Sequence, residues 1–156
     1  IAQKVAIAAL KCADLSNHRA SDYAFDIEKF TQFEGKTGPY LLYACVRMRS
    51  ILRKAEERGF QPGPVQDPGA DELGLWLALM GVPEALERAA AESLPHVICE
   101  CAFELSQRFS AVYQARNILR EEDAAKRGSW LSLTRSSLNA LEALLDLLGI
   151  STPGRM

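Results

Sequence analysis

Apolar residues recur three or four positions apart along almost the whole sequence, and this spacing constrains the fold more than any other feature. The clearest run begins at Ser129 and repeats leucine on one face until Gly149; its members are Leu131, Leu138, Leu141, Leu145 and Leu148. Such spacing is typical of a helix with one buried face, whereas half-buried strands alternate apolar and polar residues. Strand patterns are almost absent, so the sequence predicts an all-α bundle of about five or six helices.

Glycine and proline divide the pattern into segments. The predicted helices cover 1–15, 39–58, 72–80, 83–93, 95–119 and 129–148. Proline suits the first helical position because the N–H that it lacks would have no partner within the helix. Asp26 is predicted to cap a single helical turn after a brief extended piece at 22–25, and Asp71 to cap the helix at 72–80. Residues 60–71 are rich in proline and glycine and are predicted to form an irregular loop.

Length and composition indicate a protein with a sizeable core. The chain has 156 residues, of which 48% are hydrophobic. No apolar run approaches the ~20 residues of a membrane helix, and the N-terminus lacks a signal-peptide pattern, so we expect a soluble, cytoplasmic protein with no membrane partner. The four cysteines, Cys12, Cys45, Cys99 and Cys101, lack the spacing of a metal site. We expect them to be reduced core residues, with no metal bound.

The charge balance limits any contact with nucleic acid to a local patch. Lys and Arg number 18 against 20 Asp and Glu, for a net charge of −2. A field of that sign does not attract a polyanion to the whole molecule. Residues 1–60 nevertheless hold ten basic and seven acidic side chains, and residues 61–100 hold one and seven. Five basic residues lie on the predicted helix at 39–58 or at its end: Arg47, Arg49, Arg53, Lys54 and Arg58.

That helix carries a narrow stripe beside its apolar face. At ~100° per residue, the stripe consists of Tyr40, Tyr43, Arg47, Lys54 and Arg58. Aromatic rings stack on unpaired bases and guanidinium groups hold phosphates, which is the combination that single-stranded RNA requires. The same pattern also describes a solvated basic flank with tyrosines anchored in the core, and periodicity alone favours that second interpretation.

Catalytic motifs are missing from the sequence. A glycine-rich phosphate loop, H-E-x-x-H and G-x-S-x-G do not occur. His18 and His96 have no carboxylate or nucleophile at a suggestive spacing, so we expect structural or surface roles for both. The chain is therefore unconvincing as a free-standing enzyme.

Four segments resemble arginyl-tRNA synthetases: ALKCADLSNHRASDYAFD, FEGKTGPYLLYACVRMRSILRKA, PHVICECAFELSQRFSAVY and LLGISTPGRM. The resemblance implies that residues 1–37 end the connection from a class I catalytic domain and that residues 38–156 form a DALR-type anticodon-binding helical domain. It implies tRNA(Arg) and the catalytic domain of the same polypeptide as partners, and not DNA. The family's HIGH and KMSKS active site is absent here, so the chain alone would be inactive and bind no cofactor. The parent enzyme would use ATP with Mg to ligate arginine to tRNA(Arg).

The resemblance also implies the residues that hold the anticodon loop. It assigns this role to Tyr113, to Arg47 and Arg49, and to Met156. Tyr40 and Tyr43 match family tyrosines, whereas Asn117 stands where some members carry a large aromatic residue. These assignments make the stripe on the basic helix an RNA surface.

A different function remains open. The acidic segment 61–100 and Trp76 would suit a helical protein-interaction or dimerisation domain if the tryptophan were exposed. The area that a tryptophan buries favours a place in the core instead.

Overall fold

The computed structural model describes residues 1–24 and 26–155, apart from the side chain of Asp71, and all regular structure in this part of the chain is helical. The predicted all-α class is confirmed. Six helices have eleven residues or more, and α2 is a single turn. The α-helices are α1 Ala2–Leu15, α2 Ile27–Phe30, α3 Gly38–Glu57, α4 Ala70–Met80, α5 Val82–Glu92, α6 Pro95–Ala115 and α7 Ala124–Leu147, with a 3₁₀ turn at Ile118–Arg120.

Helix α3 begins and ends close to the predicted positions. The hydroxyl of Thr37 accepts a hydrogen bond from the Tyr40 N–H at 3.3 Å and caps the helix, so Pro39 is its second residue rather than its first. At the other end Gly59 has φ +72°, a conformation that glycine adopts without a Cβ penalty. The predicted cap at Asp26 is confirmed, because its carboxylate accepts from the Lys29 N–H.

Three predicted helix boundaries are wrong. Helix α4 begins after Gly69, one residue before Asp71, because the Glu72 carboxylate accepts the Gly69 N–H and stabilises the earlier start. Helix α7 begins at Ala124 and not at Ser129, because Asp123 accepts from two backbone N–H groups of the first turn. Helix α6 ends at Ala115 and not at residue 119. The chain continues with Arg116 in an extended conformation and then enters the 3₁₀ turn, in which Ile118 is buried.

The core lies where α3, α6 and α7 meet, with α1 against α3 and α4 against α6. All five leucines of the predicted ladder on α7 are buried, as are Phe103 and Phe109 of α6. Three of the cysteines are free and buried as expected, and Cys101 is half-buried. Burial of apolar side chains at this junction supplies most of the driving force for folding. Among the described residues, no helix has the length and apolar character needed to cross a membrane.

The predicted irregular loop before α4 is tied to α7. The Gly63 N–H donates to the Gly128 carbonyl at 2.9 Å, and the Ser132 hydroxyl donates to the Gly63 carbonyl at 2.6 Å. The Gln66 N–H donates to the Ser129 hydroxyl at 3.0 Å. A Cβ on Gly128 would lie 3.1 Å from the Gly63 nitrogen, so any larger residue there would push the two backbones apart by a few tenths of an ångström. The loop therefore lies along the helix although it has no regular structure.

Candidate nucleic-acid interface

An arginine lies between two tyrosine rings where α3 faces the end of α6. The guanidinium carbon of Arg47 is 4.5 Å from the centroid of the Tyr43 ring and 5.1 Å from that of Tyr113. Both distances are within the range of a cation–π interaction. Tyr43 and Arg47 are one turn apart on α3, and Tyr113 comes from the last turn of α6. The structure thus brings together three of the predicted site residues.

Both rings remain accessible to solvent, and that of Tyr113 also contacts a core residue. Phe109, which is 1% exposed, lies one turn before Tyr113, and the two rings are nearly parallel with centroids 6.3 Å apart. Tyr43 is 42% exposed and Tyr113 is 40% exposed. A ring that is fixed at its base and open at its edge offers a surface for stacking at little entropic cost.

The rings border a cleft of 690 Å³ between α3 and the segment that follows α6. One side is formed by α3 from Tyr43 to Lys54, and the other by residues 113–119. We call residues 114–119 the cleft wall. Asn117 belongs to this wall and is exposed, but it lies outside any helix, so it is not stacked one helical turn above Tyr113.

The other basic residues of the α3 segment differ in whether they have a hydrogen-bond or ion-pair partner. Arg53 pairs with Glu57 at 3.7 Å, and Arg58 donates to the Leu119 carbonyl at 3.1 Å. Lys54 is exposed, lines the cleft and has no hydrogen-bond or ion-pair partner among the residues that the structure describes. Its ammonium group is therefore available to an anion in the cleft.

Arg49 does not join the cleft. It lies two residues after Arg47 on α3, about 200° around the helix. Its guanidinium pairs with Glu142 of α7 at 2.5 Å and donates to Thr152 and to the Pro153 carbonyl. The structure thus separates Arg49 from Arg47, and the contact of Arg49 with the anticodon loop stays a prediction. Met156, the other residue predicted at the C-terminal end, lies outside the described residues.

Tyr40 is half-buried and belongs to the packing between helices. Its hydroxyl lies 3.4 Å from that of Ser110 on α6, and its ring packs against the core. Of the two tyrosines at the start of α3, Tyr43 faces the cleft and Tyr40 anchors the helix. Periodicity placed both tyrosines in one stripe because they are one turn apart. It could not show which of the two rings would be covered by a neighbouring helix.

The residues considered for other functions lie elsewhere. His18 is exposed and His96 half-buried, with ring centroids 5.2 Å apart at the far end of α6. Trp76 is half-buried and packs against the core, as its size predicted. The exposed apolar residues of α4 are Leu73, Leu77 and Met80, which follow one face of the helix.

Sequence reasoning missed an ion pair behind the cleft wall. Arg116 of the wall pairs with Glu72 of α4, with 3.3 Å between Nε and Oε1. The two residues are 44 positions apart in the chain, and no local pattern connects them. The one feature of the sequence that could have indicated this ion pair was the acidic residue in the first turn of α4.

A family model, related sequences and a solved structure all match this chain and agree on its family. Residues 41–156 match the family described as the DALR anticodon binding domain. Arginine–tRNA ligases of Maricaulis maris and Hyphomonas neptunium are 46% and 48% identical to the chain over 156 residues, which are 100% of this chain and 26% of each relative. The chain thus spans about a quarter of the length of these relatives. The structure of the Thermus thermophilus arginyl-tRNA synthetase matches with a TM-score of 0.89 at 33% identity, over 99% of this chain and 27% of that chain.

Proposed function

The chain belongs to the DALR anticodon binding domain family, and we propose that it binds the anticodon loop of tRNA(Arg) as part of an arginine–tRNA ligase. The observation that carries the proposal is the cluster of Tyr43, Arg47 and Tyr113 on an open cleft. The choice of tRNA(Arg) rests on the names of the relatives. The same names support the activity of the whole polypeptide, which would use ATP with Mg in a catalytic domain that carries HIGH and KMSKS.

The tyrosine rings would bind unpaired bases by stacking. An anticodon loop presents bases whose faces and edges are free, and each stacked base contributes roughly 1–3 kcal/mol. Arg47 holds the two rings in place before RNA arrives, so little side-chain entropy is left to lose on binding. A guanidinium between two rings can also donate hydrogen bonds to a base edge or a phosphate from that position.

Lys54 would contact the RNA backbone. It lies seven residues after Arg47 on the same helix, a rise of about 10 Å along the cleft. Its ammonium group, which has no partner among the described residues, can neutralise one phosphate and release the counterions of that phosphate. The net charge of −2 is compatible with this role because bases, rather than a long run of phosphates, would supply most of the contact.

Four other predicted residues would contribute in different ways. Asn117 would donate or accept hydrogen bonds from the cleft wall, since its amide cannot replace an aromatic ring in stacking. Tyr40 would act through its packing between α3 and α6. Arg49 would fix residues 152–153 and so direct the chain toward Met156, whose contact with the loop remains a prediction, as does the domain boundary between residues 37 and 38.

The decisive experiment is a titration of the chain at low salt with an RNA stem-loop that carries an arginine anticodon. A second stem-loop with a changed middle anticodon base serves as the competitor, and fluorescence anisotropy reports binding. We expect the first loop to bind more tightly, with a salt dependence equivalent to only a few phosphates. Equal binding to both loops, or binding to neither, would remove the proposal.

Matched substitutions locate the binding surface. Tyr113→Ala should weaken binding by about 1–3 kcal/mol, whereas Tyr23→Ala should not, although Tyr23 is similarly exposed at 39% on the α1 side. Lys54→Met should lower the slope of log K against log salt by about one, whereas Arg53→Met, on the neighbouring residue, should leave it unchanged. Loss of folding in Tyr113→Ala would instead identify that ring as part of the core.

A helical interaction domain is the second candidate, and the exposed stripe of Leu73, Leu77 and Met80 on α4 is the observation that favours it. Sedimentation velocity over a range of concentrations tests for self-association. A Leu77→Glu variant that remains monomeric while the parent associates would support a role for this stripe.

A further inference from the structure

The Glu72 carboxylate is buried, accepts a backbone hydrogen bond and is paired with an arginine. The residue is 7% exposed. One oxygen accepts the Gly69 N–H, and the other lies 3.3 Å from Nε of Arg116. A buried carboxylate is costly unless it is paired and hydrogen-bonded. Glu72 therefore favours conformations in which the Arg116 side chain reaches α4.

The Arg116 side chain also contacts α7. Its guanidinium carbon is 5.7 Å from the centroid of the Trp130 ring. Its backbone is extended, with φ −125° and ψ 130°, directly after the last residue of α6. One side chain thus connects α4 and α7 to the cleft wall at the point where α6 ends.

The other end of the cleft wall is held from the opposite side. Arg58, at the end of α3, donates to the Leu119 carbonyl, and Ile118 between the two anchors is 3% exposed. Tyr113 precedes Arg116 by less than one helical turn. The direction in which the chain leaves α6 therefore determines the shape of the cleft next to the Tyr113 ring.

We propose that Glu72 is a positioning residue for RNA binding, which acts through Arg116 to hold the cleft wall in the shape that accepts the anticodon loop. This inference rests on the proposed function of the cleft. Glu72 lies behind the wall and does not line the cleft itself. Through this pair, the affinity for RNA would depend on α4, an acidic helix that has no lysine or arginine of its own to contact the RNA.

The test uses Glu72→Gln, which keeps the shape and an oxygen acceptor for Gly69 but removes the charge that holds Arg116. We expect binding of the arginine stem-loop to weaken roughly 3- to 30-fold, the range of coupling through a neighbouring residue. Arg116→Gln should weaken binding at least as much, because it also removes the contact with Trp130, and Arg116→Lys should retain most of the affinity. The double variant Glu72→Gln/Arg116→Gln should bind no more weakly than Arg116→Gln alone, because Glu72 acts on the cleft wall through Arg116.

The matched control is Glu104→Gln, which breaks the exposed pair of Glu104 and Arg108 on α6, 3.4 Å apart and outside the cleft. Equal affinity of Glu72→Gln and Glu104→Gln, or additive losses in the double variant, would overturn the proposal. Amide hydrogen exchange of Arg116 and Arg120 without RNA gives an independent readout. We expect faster exchange in Glu72→Gln, and unchanged exchange would also overturn it. If the parent chain binds no RNA, the proposed function fails while the exchange result still decides whether Glu72 positions the wall.

Discussion

Replacement of Gly38 by alanine should separate α3 from α1. Gly38 is the first residue of α3, and its Cα faces the backbone of α1. A Cβ at this position would lie 2.1 Å from the Ala8 oxygen and 2.8 Å from the Ala9 nitrogen. These neighbours are backbone atoms, which cannot rotate away as the end of a side chain can. The helices must therefore move apart by more than ~1 Å before the contact with the Ala8 oxygen becomes an ordinary one.

The cost follows from what that contact buries. Ala8, Ala9, Cys12 and Ala13 are all at most 2% exposed on the inner face of α1. A gap of 0.5–1 Å forfeits about a quarter to a half of the dispersion energy of each facing pair, and overpacking of this kind costs about 1–3 kcal/mol. The better helix propensity of alanine offsets less than ~1 kcal/mol. We expect Gly38→Ala to lose about 2 kcal/mol of unfolding free energy.

Thermal unfolding followed by circular dichroism measures this loss. For a chain of this size, about 2 kcal/mol corresponds to a fall in Tm of about 4–8 °C. Gly154→Ala is the control, because a Cβ there meets no atom within 4 Å, and its Tm should stay close to that of the parent. If Gly38→Ala melts with or above the control, the close approach of α1 and α3 is not a constraint and the argument is refuted.

Two further predictions concern titratable groups. Hydrogen bonds from the Lys126 and Ala125 N–H groups lower the pKa of Asp123 below its ordinary 3.8, so this cap stabilises the fold above about pH 4 and loses its effect as pH falls further. The Tm of the parent should exceed that of Asp123→Asn at pH 7, and the difference should shrink toward pH 2; a constant difference would contradict the argument. Burial raises the pKa of Cys12 and Cys45 to about 12, so a thiol reagent at pH 8 should label the half-buried Cys101 first and these two only after unfolding. Rapid labelling of Cys45 in the folded protein would show that its surroundings open easily.

Periodicity predicted the parts of the fold in which one helix face is continuously apolar. The leucines of α7 and the inner face of α3 are buried as their spacing indicated. It failed where a helix starts or ends without an apolar residue to mark it. The first turn of α7 is exposed and charged, so the residues after Asp123 resembled a loop, although the aspartate itself is a good capping residue.

The candidate site was predictable where it depends on one helix and not where it depends on several. Tyr43 and Arg47 are one turn apart, so their proximity follows from the helical repeat. The position of Tyr113 over the same arginine depends on the packing of α6 against α3, and only the family resemblance indicated it. The distance between Arg47 and Arg49 around α3 also follows from the repeat, but the attachment of Arg49 to Thr152 depends on the path of the C-terminal segment.

The backbone contact between Gly63 and Gly128 determines where the connection between α3 and α4 can be lengthened. Three hydrogen bonds fix residues 63–66 in register with α7, so an insertion between Gly63 and Gln66 would shift that register and break bonds on one side of it. Extra residues between Asp67 and Gly69 would instead bulge into solvent. A peptide tag or protease site added to this protein should therefore be accepted at Pro68 and rejected between Gly63 and Gln66.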